Sequence, residues 1–265
     1  MATVEIMEGK CALITGSTQG LGLAVAGRFA AAGCHVVLNG FGDAKTIAAI
    51  QDRMEREYGV RTLYSAADLR RPVEIEAMMS QAAEAFGAVD IVVNNAVVRH
   101  TAPVEEFPVS AWEESLAVNL SAAFHTIRQA LPRMRLRNWG RIINVSSIYG
   151  FRGAPGRVAY VATKTALLGL TRAVAAETLG HNITCNAVCP GTIPTPVHEA
   201  AIERMMDADE LSRVQAEQQF LSGKQPTNRF IQACDVAALM VFLCGPGSRD
   251  ITGAAFPIDG GWSAT

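Results

Sequence analysis

Short apolar runs alternate with longer stretches of helical spacing from one end of this chain to the other, and that alternation leaves few folds open. The runs Cys11–Thr15, His35–Leu38, Arg61–Tyr64, Ile91–Asn94, Ile142–Ser146, Thr184–Val188 and Ala254–Ile258 read as strands. Between them, segments such as Ala44–Tyr58 and Val73–Phe86 place apolar residues at helical intervals. Ser110 followed by Glu113 has the spacing of a capping box and predicts a long helix running to Leu136. Strand–helix–strand order with right-handed crossovers gives an α/β fold. The expectation is one doubly wound domain, residues 1–265, with a seven-stranded parallel sheet and helices on both faces. Ligands of such sheets bind beyond the carboxyl ends of the strands.

One stretch breaks the rhythm. Residues 192–229 open with Thr192-Ile193-Pro194-Thr195-Pro196 and continue with helical patterns over Val197–Met206 and Glu210–Leu221. The stretch is too long for an ordinary connection, which predicts a helical lid over a ligand site; the plainer reading is a packed surface excursion.

Composition removes several function classes. Hydrophobic residues make up 49% of the chain and charged residues 18%, a globular balance. A net charge of −2 gives no basis for a nucleic-acid partner. No apolar run approaches the ~20 residues that span a bilayer, and MATVEIMEGK lacks the regions of a signal peptide. A cytoplasmic protein with no membrane partner is expected. The six cysteines (Cys11, Cys34, Cys185, Cys189, Cys234, Cys244) are scattered. Cys185 and Cys189 have no further ligands in sequence, so free buried thiols and no metal are expected. Arg133, Arg135, Arg137 and Arg141 gather where the long helix should end, and read as a solvated helix terminus rather than an anion site.

The sharpest local signal follows the first strand: Thr15-Gly16-Ser17-Thr18-Gln19-Gly20-Leu21-Gly22, leading into an Ala-rich helix. Three glycines at this spacing let the chain turn tightly and bring free amides of a helix N-terminus up to a pyrophosphate. The spacing Gly-x3-Gly-x-Gly departs from the usual dinucleotide fingerprint and resembles the short-chain dehydrogenase/reductase family. Other stretches match that family in order: Asn94-Asn95-Ala96, Asn119, Ser147, Tyr160-Val161-Ala162-Thr163-Lys164, and Pro190-Gly191. The resemblance spans essentially the whole chain. It implies a Rossmann-type domain and a nicotinamide cofactor.

By that resemblance Asn119, Ser147, Tyr160 and Lys164 form the catalytic set. Tyr160 acts as general acid/base and Lys164 lowers its pKa and reaches the nicotinamide ribose. Ser147 orients the substrate oxygen, and Asn119 anchors a water-mediated proton relay. The chemistry is coherent, because an ordinary tyrosine with a pKa near 10 is a poor base until a cation one helical turn away favours phenolate. Ser146 is the neighbouring candidate and should face away at the strand end. The bland reading of Tyr160 and Lys164 is an i,i+4 pair on a helix surface.

The cofactor site implied by resemblance comprises Gly16, Ser17, Thr18, Gly20, Leu21, Gly22, Phe41, Asp68, Leu69, Asn95, Ala96, Tyr160, Lys164, Pro190, Gly191, Thr192 and Ile193. Asp68 reads either as an adenine contact or as a helix-capping aspartate. No Lys or Arg lies in the glycine loop or between Leu38 and Lys45, and Asp43 would repel a 2′-phosphate, so NAD is expected over NADP. Family members associate through two long helices, here Ala111–Leu136 and Tyr160–Leu179, so the resemblance implies a homotetramer.

Within the family, Val37–Asp43, His100–Ala102, Asn119–Ala122, Ser222–Pro226 and Asp259–Trp262 resemble the bacterial D-3-hydroxybutyrate dehydrogenases. The departures fall in the substrate pocket. Arg99 stands for a glutamine, Tyr149 for a histidine, Arg157 for a lysine, Thr192 for a tryptophan and Ala201 for a glutamine. Val97 replaces the glycine of Asn-Asn-Ala-Gly. The expected substrate is a small anionic hydroxy or keto acid, met by Arg99, Ser147, Tyr149 and Arg157, and either 3-hydroxybutyrate-like, larger, or doubly charged. The plain alternative is that either arginine faces solvent or pairs with an acid such as Glu105. Competing functions are a 3-oxoacyl thioester reductase, a sugar or cyclic alcohol dehydrogenase, and a non-catalytic dinucleotide sensor.

Overall fold

The computed structural model describes residues 7–264. Residues 1–6, most of the stretch read above for a targeting signal, and residue 265 lie outside the described residues. The seven strands are β1 (Cys11–Ile14), β2 (His35–Asn39), β3 (Thr62–Ser65), β4 (Ile91–Asn94), β5 (Gly140–Val145), β6 (Ile183–Pro190) and β7 (Ala255–Ile258). They form one sheet in the order β3-β2-β1-β4-β5-β6-β7, parallel throughout. The strand order reverses between β1 and β4, where a doubly wound sheet leaves a crevice at its carboxyl edge.

Helices cover both faces, which explains why β1, β4, β5 and β6 read as unbroken rather than alternating apolar runs. On one face α1 (Gly20–Ala31), α2 (Ala44–Tyr58) and α9 (Ala233–Cys244) close over Ile14, Phe29, Leu38 and Met240. On the other, α3 (Pro72–Phe86), α5 (Ala122–Arg137) and α6 (Val158–Glu177) close over Leu13, Ile75, Met78, Ile127 and Ile142. The α2 helix is delimited as its sequence dictates. Asp43 accepts the Thr46 N–H at its start, and Gly59 takes a left-handed φ of 67° at its end.

The capping box at Ser110 and Glu113 does not form. Pro108 holds an extended backbone immediately before α4 (Val109–Leu116), so the helix starts at Val109 and Ser110 falls inside its first turn, too late to cap it. The long helix toward Leu136 is also not continuous. A wide π turn, Ala117–Ser121, separates α4 from α5 and carries Asn119 into the interior. A capping box does occur at Ser212 and Gln215, opening α8 (Arg213–Leu221) after α7 (Pro196–Asp209). Arg141 is not at a solvated helix end: it lies buried in β5 with its guanidinium 4.7 Å from the Trp139 ring. Arg137 pairs with Asp90, and Arg135 donates to the Glu177 carbonyl.

A buried polar network fastens the helices of the second face to the central strands. The Asn94 amide of β4 donates to Asn144 Oδ1 of β5 at 2.9 Å. Thr126 of α5 donates to Asn94 Oδ1 at 2.7 Å, and Asn144 Nδ2 donates to Thr171 of α6 at 2.9 Å. All four side chains are buried and satisfied by one another. Replacing Asn144 by Ala strands the Asn94 amide. The variant is expected to lose about 2–3 kcal/mol of stability in urea unfolding.

Candidate active site

Where β1 and β4 part, their loops are laced together. Thr15 Oγ1 accepts the N–H groups of Asn95 and Ala96 at 2.9 and 3.0 Å, and the Asn95 amide donates to the carbonyls of Thr15 and Gly16. Gly16 has a φ of 63°, and a Cβ there would come 2.9 Å from Ala96 Cα. At Gly22 a Cβ would lie 2.1 Å from the Gly16 carbonyl oxygen and 2.6 Å from Asn95 Nδ2. The spacing therefore records a physical need: only glycine lets α1 start against this loop.

Ser17 and Thr18 tie the same loop to the end of β2. Ser17 Oγ donates to the Ile14 carbonyl and accepts from Asn39 N–H, while Thr18 Oγ1 donates to the Phe41 carbonyl at 2.9 Å. Gln19, at the N-cap of α1, makes no side-chain cap bond, so no side chain caps the helix at Gly20, Leu21 and Gly22. That donor set, with no Cβ at Gly20 or Gly22, fits a pyrophosphate. Phe41, 66% exposed beyond β2, adds an apolar surface at the edge of the crevice.

Asp68 departs from one of its two expected roles. Arg71 occupies the N-cap of α3 ahead of Pro72, so Asp68 does not cap the helix. Its carboxylate is chelated by Arg70, with contacts of 2.6–3.0 Å, and hydrogen bonding from Arg70 holds its pKa below the usual value. Its backbone N–H donates to Glu74, and Leu69 beside it is buried.

At the far side of the crevice β6 ends in Pro190. A Cβ on Gly191 would meet Gln225 Oε1 at 2.6 Å and Asp259 Cα at 2.9 Å. Gln225, 1% exposed, accepts from Thr192 N–H and donates to the Arg229 carbonyl at 2.5 Å, binding the base of the 192–229 excursion to the strand end. The Ile193 carbonyl faces His198 Nδ1 at 2.8 Å.

The sequence-predicted set converges between these two loops. Ser147 follows β5 and accepts the Tyr149 N–H at 3.2 Å. Ser146 is turned into the body of the protein and donates to the Lys164 carbonyl at 2.7 Å. Tyr160, 7% exposed, lies in the first turn of α6. Lys164 follows one turn later with its ammonium 5.7 Å from the Tyr160 ring and 2.6 Å from the Val145 carbonyl. Asn119 brackets a single residue: its Oδ1 accepts the Val98 N–H at 2.8 Å and its Nδ2 donates to the Val98 carbonyl at 3.1 Å. The loop after β4 is thereby tied to the π turn, whose Asn119 also reaches Thr163 of α6.

Burial alone would raise the Tyr160 pKa. The charges of Lys164 and Arg99, with hydrogen bonding from Ser147 and Arg99, outweigh it and bring the phenol below its ordinary value. Burial likewise pushes Lys164 down, against the opposing pull of Tyr160. Arg99 does not pair with Glu105; its guanidinium carbon lies 5.6 Å from the Tyr160 ring. Arg157 holds the same relation to Tyr149, at 5.7 Å, and the Tyr149 ring stands edge-on to Tyr160 at 6.1 Å and to Trp262 at 5.5 Å. Gln225, Trp262, His198 and Lys224 are parts of this region that residue spacing did not reveal, although Gln225, Lys224 and Trp262 lie in stretches that carried the resemblance.

This chain belongs to the short-chain dehydrogenase family, whose model matches residues 10–206. It is an oxidoreductase acting on CH–OH groups, close to the 3-hydroxybutyrate dehydrogenases. It is 41% identical to D-beta-hydroxybutyrate dehydrogenase of Cupriavidus necator over 98% of this chain and 100% of that protein. It is 42% identical to the Rhizobium meliloti enzyme of the same name over 96% and 99%. Among solved structures it resembles L-sorbose reductase from Gluconobacter frateurii complexed with NADPH and L-sorbose. That match has a TM-score of 0.92 at 30% identity and covers 100% of both chains. Enzymes of the family use a nicotinamide dinucleotide, which the glycine cradle fits. Gly22→Ala is therefore expected to weaken NADH binding about tenfold or more, read by quenching of protein fluorescence, because the added Cβ displaces the Gly16 carbonyl.

Proposed function

We propose that this chain interconverts the secondary alcohol and ketone of a short hydroxy or keto acid, with Tyr160 as general acid/base. The observation that carries the reading is the convergence of Tyr160, Lys164 and Ser147 beside the cations Arg99 and Arg157, which form no ion pair among the described residues. The dinucleotide is held by Gly16, Ser17, Thr18, Gly20, Leu21 and Gly22 at the phosphates, Phe41, Asp68 and Leu69 at the adenosine end, and Asn95, Ala96, Pro190, Gly191, Thr192 and Ile193 at the nicotinamide end. When bound it supplies the hydride acceptor or donor.

Every other step belongs to the chain. Ser147 orients the substrate oxygen. Tyr160 removes its proton during alcohol oxidation and returns it during ketone reduction, with Lys164 and Arg99 favouring the phenolate. Lys164 keeps donors in reserve beyond its bond to Val145 and reaches the ribose. Asn119 positions the Val97–Arg99 loop and anchors the proton relay. Arg157, set against Tyr149, holds the substrate carboxylate together with Arg99, which favours an acid over a neutral sugar. The excursion of residues 192–229 closes over the bound acid as a lid. The protein acts in the cytoplasm as a homotetramer packed through α4–α5 and α6.

NAD is the preferred cofactor. The rim that would meet a 2′-phosphate, Gly40 to Asp43, presents Phe41 and the carboxylate of Asp43, and no Lys or Arg lies between Asn39 and Lys45.

Tyr160→Phe is expected to lower turnover by about 10³-fold or more while NADH binding is retained. The same assay on the unaltered protein should favour NAD over NADP in kcat/KM. Retained turnover in the variant removes Tyr160 from the chemistry. The pH profile supplies an independent check. Because the Tyr160 pKa is lowered, kcat/KM for alcohol oxidation should rise with pH and level off below pH 10. Arg99→Ala removes one of the lowering charges, so its ascending limb should move to higher pH.

A further inference from the structure

Four arginines among the described residues are neutralised by acids: Arg213 pairs with Glu199 and Glu217, Arg70 with Asp68 and Glu114, Arg71 with Glu74 and Arg137 with Asp90. Arg99, Arg157 and Lys224 are not. Among the described residues none of the three forms an ion pair. They come from separate segments, namely the loop after β4, the loop before α6 and the base of the lid.

Each rests on an aromatic ring instead of an acid. Arg99 faces Tyr160 at 5.6 Å, Arg157 faces Tyr149 at 5.7 Å, and the Lys224 ammonium lies 4.1 Å from the Phe220 ring centroid. An aromatic face holds a cation without cancelling its charge. Phe220 in turn contacts His198 at 5.3 Å and Phe230 at 5.9 Å, so Lys224 and His198 belong to one aromatic cluster in the lid. The Ile193 carbonyl can only accept, so His198 Nδ1 carries the proton and Nε2 is the ring nitrogen left for a ligand.

Rings join these groups in pairs: Tyr149, against Arg157, stands edge-on to Tyr160, against Arg99, at 6.1 Å, and His198 shares the Phe220 ring with Lys224. Burial pushes the His198 imidazole down, and Arg99, Lys224 and Arg157 push it further; Lys224 is lowered by burial and then by Arg157. A substrate with one carboxylate leaves this arrangement with unmatched positive charge.

We propose that the substrate is a short hydroxy- or keto-dicarboxylic acid, one carboxylate received by Arg99 and Arg157 and the other by Lys224 and His198 of the lid. The inference rests on the reading that the chain oxidises the alcohol of an acid beside Tyr160. The second carboxylate takes part in binding only. It supplies what a monocarboxylate lacks, an anion that draws α7 and the segment after α8 onto the reacting carbon and lets His198 take up a proton.

The test compares kcat/KM for 3-hydroxyglutarate with that for 3-hydroxybutyrate, which share the reacting carbon and differ in the second acid group. Wild-type protein should favour the dicarboxylate about tenfold or more. Lys224→Ala should cut the dicarboxylate-to-monocarboxylate ratio about tenfold, and Lys224→Met, which keeps the stem over Phe220, should do the same with NADH binding intact. Arg157→Ala should raise KM for both acids, which reports on the underlying reading. If 3-hydroxybutyrate is used as well as or better than 3-hydroxyglutarate, or if both Lys224 variants leave the ratio unchanged, the dicarboxylate is overturned while the hydroxy-acid reading stands. If wild-type protein turns over neither acid, both fall.

Discussion

The hydrogen bond between Asn94 and Asn144 decides where everything else in the site can be. Two adjacent parallel strands, β4 and β5, are joined through their buried amides, and each amide reaches on to a different helix, Asn94 to Thr126 of α5 and Asn144 to Thr171 of α6. The groups of the candidate site hang from these elements. Asn119 is in the π turn that runs into α5, Ser147 follows β5, and Tyr160 and Lys164 open α6. Low dielectric strengthens such a network only if every member is satisfied, so it fixes one arrangement rather than several. The serine, tyrosine and lysine are thereby positioned from rigid elements, whereas the groups expected to read the substrate sit on loops and on the lid.

Much of the fold was legible because burial on both faces writes strands as apolar runs and because α2 carries its own stop signals. What misled was local spacing read without its tertiary setting. Ser110 and Glu113 have the separation of a capping box, yet Pro108 starts the helix two residues early. The helical periodicity through residues 109–137 gave no sign of a π turn, because the turn exists to bring Asn119 against Val98, a contact across distant parts of the chain. Arg141 read as one of a solvent-facing group, although a strand places it in the interior against Trp139.

The glycine loop shows the opposite case. Gly16 and Gly22 could be singled out from spacing alone because the glycines themselves record the steric constraint, two loops approaching within contact distance. Gln225 could not be. Its burial and its bonds to Thr192 and Arg229 depend on the 192–229 excursion folding back on the strand end, a contact that residue spacing does not record. Lys224 and His198 were illegible for the same reason.

The two halves of the crevice treat negative charge in contrasting ways. On the side of α1, the anion would be met by backbone amides and a helix terminus, with no Lys or Arg in the loop from Thr15 to Gly22. On the side of the lid, side-chain cations supply the positive potential and lie against rings rather than acids. Fixed amides suit a cofactor whose shape never varies, since their geometry is set by the fold. Long cationic side chains suit a substrate that must enter, be gripped and leave, because their charge acts at a distance and their stems adapt. Under the proposed function Arg99 belongs to both tasks: its charge lowers the Tyr160 pKa and would also meet the acid, so binding and proton transfer share one group. A neutral substrate would leave that charge unanswered, whereas an anion placed beside Arg99 offsets it and returns part of the Tyr160 shift. Substrate charge and catalytic pKa are therefore coupled through a single side chain in this pocket.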